Sequence, residues 1–323
     1  MYKITCTEEK FLISNQFQFD FDVQYQGYAQ LSQSQFEHDI RDQDVLIVNE
    51  LQVSPIIYRH NPELKLIALC STGYEHIDLK LAQQHGVKVC NVRHYAADSV
   101  AEHAMLLMLC LEKNFLHYRQ AVYNGAWQAS QDFCYLSSQH PIYQLKQKKL
   151  VIVGRGDIGQ AVAVKAQAFG MQVIYAERPD ASSCRVGYVP FWEALAQADV
   201  LSLHCPFSTE QPLYIDEHVL AHLPSRCMIV NVSRGALIDE EALLNALEHG
   251  QIAGYGADVL QQAPPSQQHP LLQPHLNVIL TPHIAWAAQE AQQCLFTMLN
   301  ANINLNLQGI AHNLLTDLQS QAS

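Results

Sequence analysis

The chain has 323 residues, 49% of them hydrophobic, and a formal net charge of −12. That length suits about two domains, and an acidic balance without a basic cluster weighs against a nucleic-acid partner. No apolar run reaches the ~18 residues that span a bilayer. The first ten residues turn acidic before any apolar stretch of the kind a signal peptide needs. A cytoplasmic protein with no membrane partner is expected. Nine cysteines, without a C-x-x-C pair, argue against a disulfide framework and a zinc site. Most are expected to be small core residues. The sixteen histidines include no H-E-x-x-H pair, so no metal is expected.

Along the chain, short apolar runs alternate with amphipathic stretches, the pattern of parallel α/β sheets. Strands are expected at 45–48, 64–69 and 87–89, with a helix over 78–85 stopped by Gly86. Ser99 and Glu102 have the spacing of a capping box opening a long, buried helix. Residues 124–147, with Gly125 and Pro141, read as an irregular connector. Six more strands are expected at 150–153, 172–176, 200–204, 228–232, 252–258 and 278–281. Residues 289–308 have helical spacing and no strand after them, so they are expected to pack back on the first domain. The division expected is 1–98 with 287–323 for the first domain and 99–286 for the second.

The strand at 150–153 runs into Gly154, Arg155, Gly156, Asp157, Ile158 and Gly159, then into a helical stretch. This is G-x-G-x-x-G after a strand and opening a helix, the dinucleotide-binding arrangement. Gly154 suits the tight turn, Gly156 lets backbone approach a pyrophosphate, and Gly159 lets helix and strand pack closely. The helix N-terminus offers free N–H groups to phosphate. Glu177 ends the next strand, about 20 residues on, where a carboxylate accepts from ribose hydroxyls. It favours NAD(H) over NADP(H). Arg178 beside it leaves NADP(H) open, because an arginine can neutralise a 2′-phosphate.

Ligands of open parallel sheets gather at the carboxyl ends of strands. Those ends carry Cys205 and Pro206, then Val232, Ser233 and Arg234, then Asp258, then His283. A guanidinium fork at Arg234 can hold carboxylate and ketone oxygens. An imidazole at His283 can give a proton to an oxygen as hydride reaches carbon. Arg234 and His283 are the candidate catalytic pair for interconverting a 2-keto acid and a 2-hydroxy acid.

These motifs resemble the D-isomer specific 2-hydroxyacid dehydrogenases, over nearly the whole chain and most specifically over 70–290. Trp127, Phe133, Cys134, Pro141, Ile142, and the runs 176–179 and 281–286, are similar to the glycerate dehydrogenase or hydroxypyruvate reductase branch. The resemblance implies two doubly wound parallel-sheet α/β domains: a discontinuous flavodoxin-like substrate domain and a Rossmann NAD-binding domain. It also implies a homodimer. Implied cofactor contacts are Val100, the turn from Gly154 to Gly159, Glu177, Arg178, Cys205, Pro206, Val232, Ser233, Arg234, Asp258 and His283. Implied substrate contacts are Thr72, Gly73, Arg234 and His283. The departure is Ala263, which stands where the family places a Glu that orients the histidine and raises its pKa. Two readings follow: a working dehydrogenase for a small acid such as hydroxypyruvate or glyoxylate, or an NAD(H)-binding protein with weak or no turnover.

Overall fold

A computed structural model describes residues 1–207, 215–273 and 277–316. The chain forms two compact units, one from residues 1–96 and 287 onward, the other Ala97–Trp286. Residues 317–323 of the expected first domain lie outside the described residues.

Unit 1 contains β1 (Tyr2–Cys6), β2 (Val23–Gly27), α1 (Gln33–Asp39), β3 (Val45–Val48), α2 (Pro55–His60), β4 (Leu66–Leu69), α3 (Leu79–Gln84) and β5 (Lys88–Cys90). Its sheet is parallel, in the order β2-β1-β3-β4-β5. The central strands β3 and β4 are buried along their whole length, as sequences apolar at every position require when both faces are covered. Val53, Ile57, Ile67 and Leu69 share one core cluster with Phe36 of α1. Two strands, β1 and β2, were not among the sequence expectations. The edge strand β2, VQYQG, alternates half-buried and exposed positions and has no apolar run to signal it.

Unit 2 begins with α4 (Ala97–Glu112), α5 (Phe115–Tyr123) and α6 (Ala126–Ser130). There follow β6 (Lys149–Val153), α7 (Asp157–Ala168), β7 (Gln172–Ala176), α8 (Phe191–Leu195), β8 (Val200–Leu203), α9 (Glu217–Ala221), β9 (Met228–Asn231), α10 (Glu240–Glu248), β10 (Gly254–Ala257) and β11 (Val278–Leu280). The six strands are parallel in the order β11-β10-β9-β8-β6-β7. On one side of the sheet lies a cluster including Phe191, Leu195, Val219, Leu243 and Ile252. α4 packs against β9, β10 and β11 and along α7. Its Val100, Ala104, Leu107, Met108 and Leu111 are buried.

The last helix, α11 (Gln289–Leu307), belongs to unit 1 and packs against β4. Its buried Asn302 donates to the Asn91 carbonyl at 2.9 Å and accepts from Asn313 Nδ2 at 2.9 Å.

Two expectations need correction. α4 starts at Ala97, so Ser99 lies inside the helix and is no cap. Its hydroxyl donates instead to the Ala285 carbonyl at 2.5 Å. Of the nine free cysteines, four are buried, and Cys134, Cys184 and Cys294 are exposed. Exposed thiols occur on helix and loop surfaces where apolarity places no demand. No helix among the described residues is long and apolar enough to cross a membrane.

Candidate active site

Because unit 2 has an all-parallel sheet, the carboxyl ends of β6 to β11 share one edge. The glycine turn lies between β6 and α7. Gly154 has φ +99°, and a Cβ there would come within 2.4 Å of the His204 carbonyl oxygen. Only glycine avoids both penalties. Gly159 is buried on α7, and a Cβ would meet the Gly154 carbonyl oxygen at 2.0 Å. Gly156 is the N-cap of α7, has no side chain to cap it, and faces open space. Backbone N–H groups at a helix start, a close-approach glycine and open space in front of it fit a dinucleotide pyrophosphate. Arg155, Gly156 and Asp157 are exposed around that space, and Ile158 is half-buried.

Glu177 follows β7 and is only 3% exposed. Its Oε1 accepts from Arg178 N at 2.9 Å and Arg185 Nη2 at 2.6 Å. Its Oε2 accepts from Arg185 N at 3.1 Å and Arg185 Nε at 2.7 Å. The Arg185 side chain, above all, pulls the carboxyl pKa down to about 2. Arg185 had no local sequence signal, being eight positions further along an irregular loop. The Arg178 side chain is exposed.

Cys205 and Pro206 follow β8. The Ser233 hydroxyl donates to the Cys205 carbonyl at 2.6 Å, tying the β8 and β9 ends together. Val232 is buried, and Val100 is buried on α4. Asn231 Nδ2 donates to the Arg234 carbonyl at 2.9 Å, and Asn231 Oδ1 accepts from Ser233 N at 3.0 Å. The backbone beneath the guanidinium is therefore held at both ends. Gly235 lies against the Leu260–Gln261 backbone so closely that a Cβ would fall 2.0 Å from Leu260 C.

His283, after β11, has φ +58°. This left-handed conformation is uncommon for a non-glycine residue and is a mark of functional turns. Asp258, after β10 and 2% exposed, holds that turn. It accepts from the Thr281 hydroxyl at 2.5 Å, from Ile284 N at 3.0 Å and from Ala285 N at 2.7 Å. His103 Nε2 lies 2.8 Å from the Thr281 hydroxyl and 3.7 Å from Asp258 Oδ1. The single hydroxyl proton is committed to the carboxylate, so His103 must be the donor to Thr281. Ser99 and His103, four residues apart, lie on one face of α4 and grip the two ends of the His283 turn. His103 and Thr281 were not among the expected site residues. Their contact joins positions 178 apart, which no local spacing reveals.

Desolvation lowers the His283 pKa, the Asp258 charge opposes that, and the Arg234 charge adds to it. The imidazole thus senses both the guanidinium and the buried carboxylate. Ala263 and Gln262 are exposed in the loop after β10. In unit 1, the Thr72 hydroxyl donates to the Val92 carbonyl at 2.9 Å, and the Gly73 carbonyl accepts from the Ser71 hydroxyl at 2.8 Å. Asn91 Nδ2 donates to the Thr72 carbonyl at 2.7 Å, completing a pinned loop.

Comparison with known proteins points to one family. Residues 105–285 match the family described as D-isomer specific 2-hydroxyacid dehydrogenase, NAD binding domain. The chain is 35% identical to a protein of Haemophilus influenzae described as a 2-hydroxyacid dehydrogenase, covering 88% of this chain and 90% of that one. It is 32% identical to a glycerate dehydrogenase of Methylorubrum extorquens, covering 96% and 98%. Among solved structures, a Thermus thermophilus protein superposes with a TM-score of 0.83 at 26% identity, covering 97% and 99%.

Proposed function

The chain belongs to the D-isomer specific 2-hydroxyacid dehydrogenase family, and we propose that it reduces hydroxypyruvate with Arg234 and His283 as its catalytic pair. It is an oxidoreductase that moves a hydride between a nicotinamide dinucleotide and a D-2-hydroxy acid. The choice of hydroxypyruvate is supported by the glycerate dehydrogenase relative.

One observation carries the reading. Arg234 and His283 come from strand ends on either side of β10, and the His283 turn is held by the buried Asp258, so that the imidazole lies within reach of both the guanidinium and the carboxylate charge. When bound, the nicotinamide supplies the hydride. Arg234 orients the keto acid through its planar fork and polarises the ketone oxygen. His283 carries the proton that this oxygen takes up on reduction, and takes it back in the reverse direction. The backbone N–H groups of the Gly154–Gly159 turn and α7 hold the pyrophosphate. The family resemblance assigns the backbone N–H groups of Thr72 and Gly73, in unit 1, to the substrate carboxylate.

Ala263 removes the carboxylate expected beside the histidine, yet orientation does not rest on it. Asp258, Thr281, His103 and Ser99 hold the turn, and Asp258 lends charge to the imidazolium. What is lost is part of the basicity, so the enzyme works at lower pH rather than falling silent. The test is NADH oxidation with hydroxypyruvate near pH 6, in wild type, Arg234→Ala and His283→Asn. Turnover in the range of about 1–1000 per second, falling at least a hundredfold in both variants, is expected. A wild type that binds NADH yet turns over neither hydroxypyruvate nor glyoxylate would refute the proposal.

We propose a homodimer for the same chain. On α5, α6 and the segment after them, Phe115, Tyr123, Trp127, Phe133 and Leu136 are exposed, Phe133 at 98%. Large apolar side chains left exposed along one stretch of chain suit a protein interface. Light scattering should give twice the chain mass of 36.4 kDa, and Phe133→Asp with Leu136→Asp should give one. A monomeric wild type would sink this part. The nine free thiols support a reducing compartment, the cytoplasm.

A further inference from the structure

The carboxylate at the end of β7 is already saturated. An ionised carboxylate offers about four acceptor sites, and Glu177 accepts four hydrogen bonds, three of them from Arg185. Ribose hydroxyls can bond to Glu177 only by displacing Arg185. That costs a bidentate, charge-assisted pair, among the stronger contacts a surface arginine makes.

The surroundings change the chemistry further. The Arg185 guanidinium cancels the Glu177 charge and lies 4.0 Å over the Tyr188 ring. Arg155, from the glycine turn, lies 4.5 Å over Tyr175 and 5.7 Å over Tyr188. Two arginines from different loops thus converge on one tyrosine, and exposed Arg178 stands beside Glu177 in sequence. Asp157, at the start of α7, and Asp180 are exposed, whereas Glu177 is buried under its arginine. A carboxylate that excludes a 2′-phosphate must be free to repel it, and Glu177 is not.

We infer that Arg185 sets cofactor choice: clamped on Glu177, it opens the adenosine end of the site to the 2′-phosphate of NADP(H). Arg155 and Arg178 supply the uncompensated cations for that phosphate, and Arg185 offers it the guanidinium N–H groups not used on Glu177. NAD(H) remains usable when Arg185 swings away and frees Glu177. The inference rests on the dinucleotide reading above and adds Arg185 as a specificity-determining residue.

The test reads fragment binding first. Adenosine 2′,5′-bisphosphate and adenosine 5′-monophosphate are titrated calorimetrically into wild type, Arg185→Gln and Glu177→Gln. Wild type should bind the bisphosphate about tenfold tighter or better, a difference of about 1.4 kcal/mol. Arg185→Gln should reverse the ratio, since it exposes the Glu177 charge. Glu177→Gln should keep the bisphosphate preference, which separates the clamp from simple loss of folding. Circular dichroism of each variant checks the fold. Equal or tighter binding of the monophosphate by wild type, with NADH turnover intact, would overturn the Arg185 assignment alone. Failure of both fragments to bind at millimolar concentration would overturn the dinucleotide reading with it.

Discussion

Thr281→Val tests whether the His283 turn is held from α4. Valine keeps the shape of threonine and removes only the hydroxyl. Two contacts go. The bond to Asp258 is charge-assisted, worth about 1.5–3 kcal/mol, and the His103 N–H loses its acceptor, costing about 1–3 kcal/mol. His103 is 3.7 Å from Asp258 Oδ1 and can move to recover part of the second loss. A net cost of about 3 kcal/mol follows. Against it stand the Ile284 and Ala285 N–H bonds and the Ser99 bond to the Ala285 carbonyl, which must offset the left-handed conformation of His283, itself costing about 1–3 kcal/mol. The turn then spends most of its time away from the productive geometry. Reduction of hydroxypyruvate should lose about 10- to 100-fold in kcat, since each tenfold corresponds to about 1.4 kcal/mol. KM for NADH should change little, because the glycine turn is untouched. Unfolding of unit 2 should move down by about 6–12 °C. Thr281→Ser, which restores the hydroxyl, should return kcat to near wild type. A Thr281→Val enzyme with kcat within twofold of wild type and an unchanged melting point would refute the argument.

The pH dependence follows from the lowered His283 pKa. Reduction needs the imidazolium, so activity should be full below that pKa and decline as pH rises through it, beginning below the usual ~6.5 of histidine. Oxidation should show the mirror-image profile, and Ala263→Glu should move both limbs upward. A reduction rate flat from pH 5 to pH 8 would count against a titrating His283. Lys148→Met should destabilise by about 3–5 kcal/mol, because it strips the fully buried Glu112 of an ammonium 2.7 Å away. Adding Glu112→Leu to it should recover most of that loss in a denaturant titration; no recovery would mean that Lys148 acts through its packing on Tyr143. Gly235→Ala should abolish turnover or soluble expression, since a Cβ 2.0 Å from the Leu260 backbone must displace the Arg234 loop. An active Gly235→Ala enzyme would show that the loop yields at little cost.

The parts legible in the sequence were local. Apolar runs marked the central strands β6, β8 and β9, which are buried along nearly their whole length, and the apolar residues of the half-buried edge strands β7 and β11 were enough to mark those too. The glycine turn was legible because strand, turn and helix follow one another directly. β1 and β2 escaped notice because YKITC and VQYQG carry polar residues at alternate positions. Ser99 and Glu102 imitated a helix start, since spacing alone does not separate a cap from an interior serine bonded to a distant carbonyl. Arg185 on Glu177, and His103 on Thr281, were illegible for one physical reason. Each is a side-chain contact made only after folding brings separate loops or elements together, and neither leaves a periodicity behind. Asp258 was expected from the resemblance as a cofactor contact, yet its grip on the His283 turn depends on three donors from beyond β11.

Unit 1 is built from both ends of the chain, and this has a consequence for the order of events during synthesis. The helix that covers β4 ends at Leu307, while the strand it covers is complete by Leu69. At translation rates of about 5–20 residues per second, β4 waits roughly 12–48 s for its missing layer. Through that interval β4 presents an apolar face, the feature that recruits chaperones or a neighbouring chain. Unit 2, encoded without interruption, has everything it needs to fold in the meantime. The emergence of α11 from the ribosome sets the earliest time at which unit 1 can close.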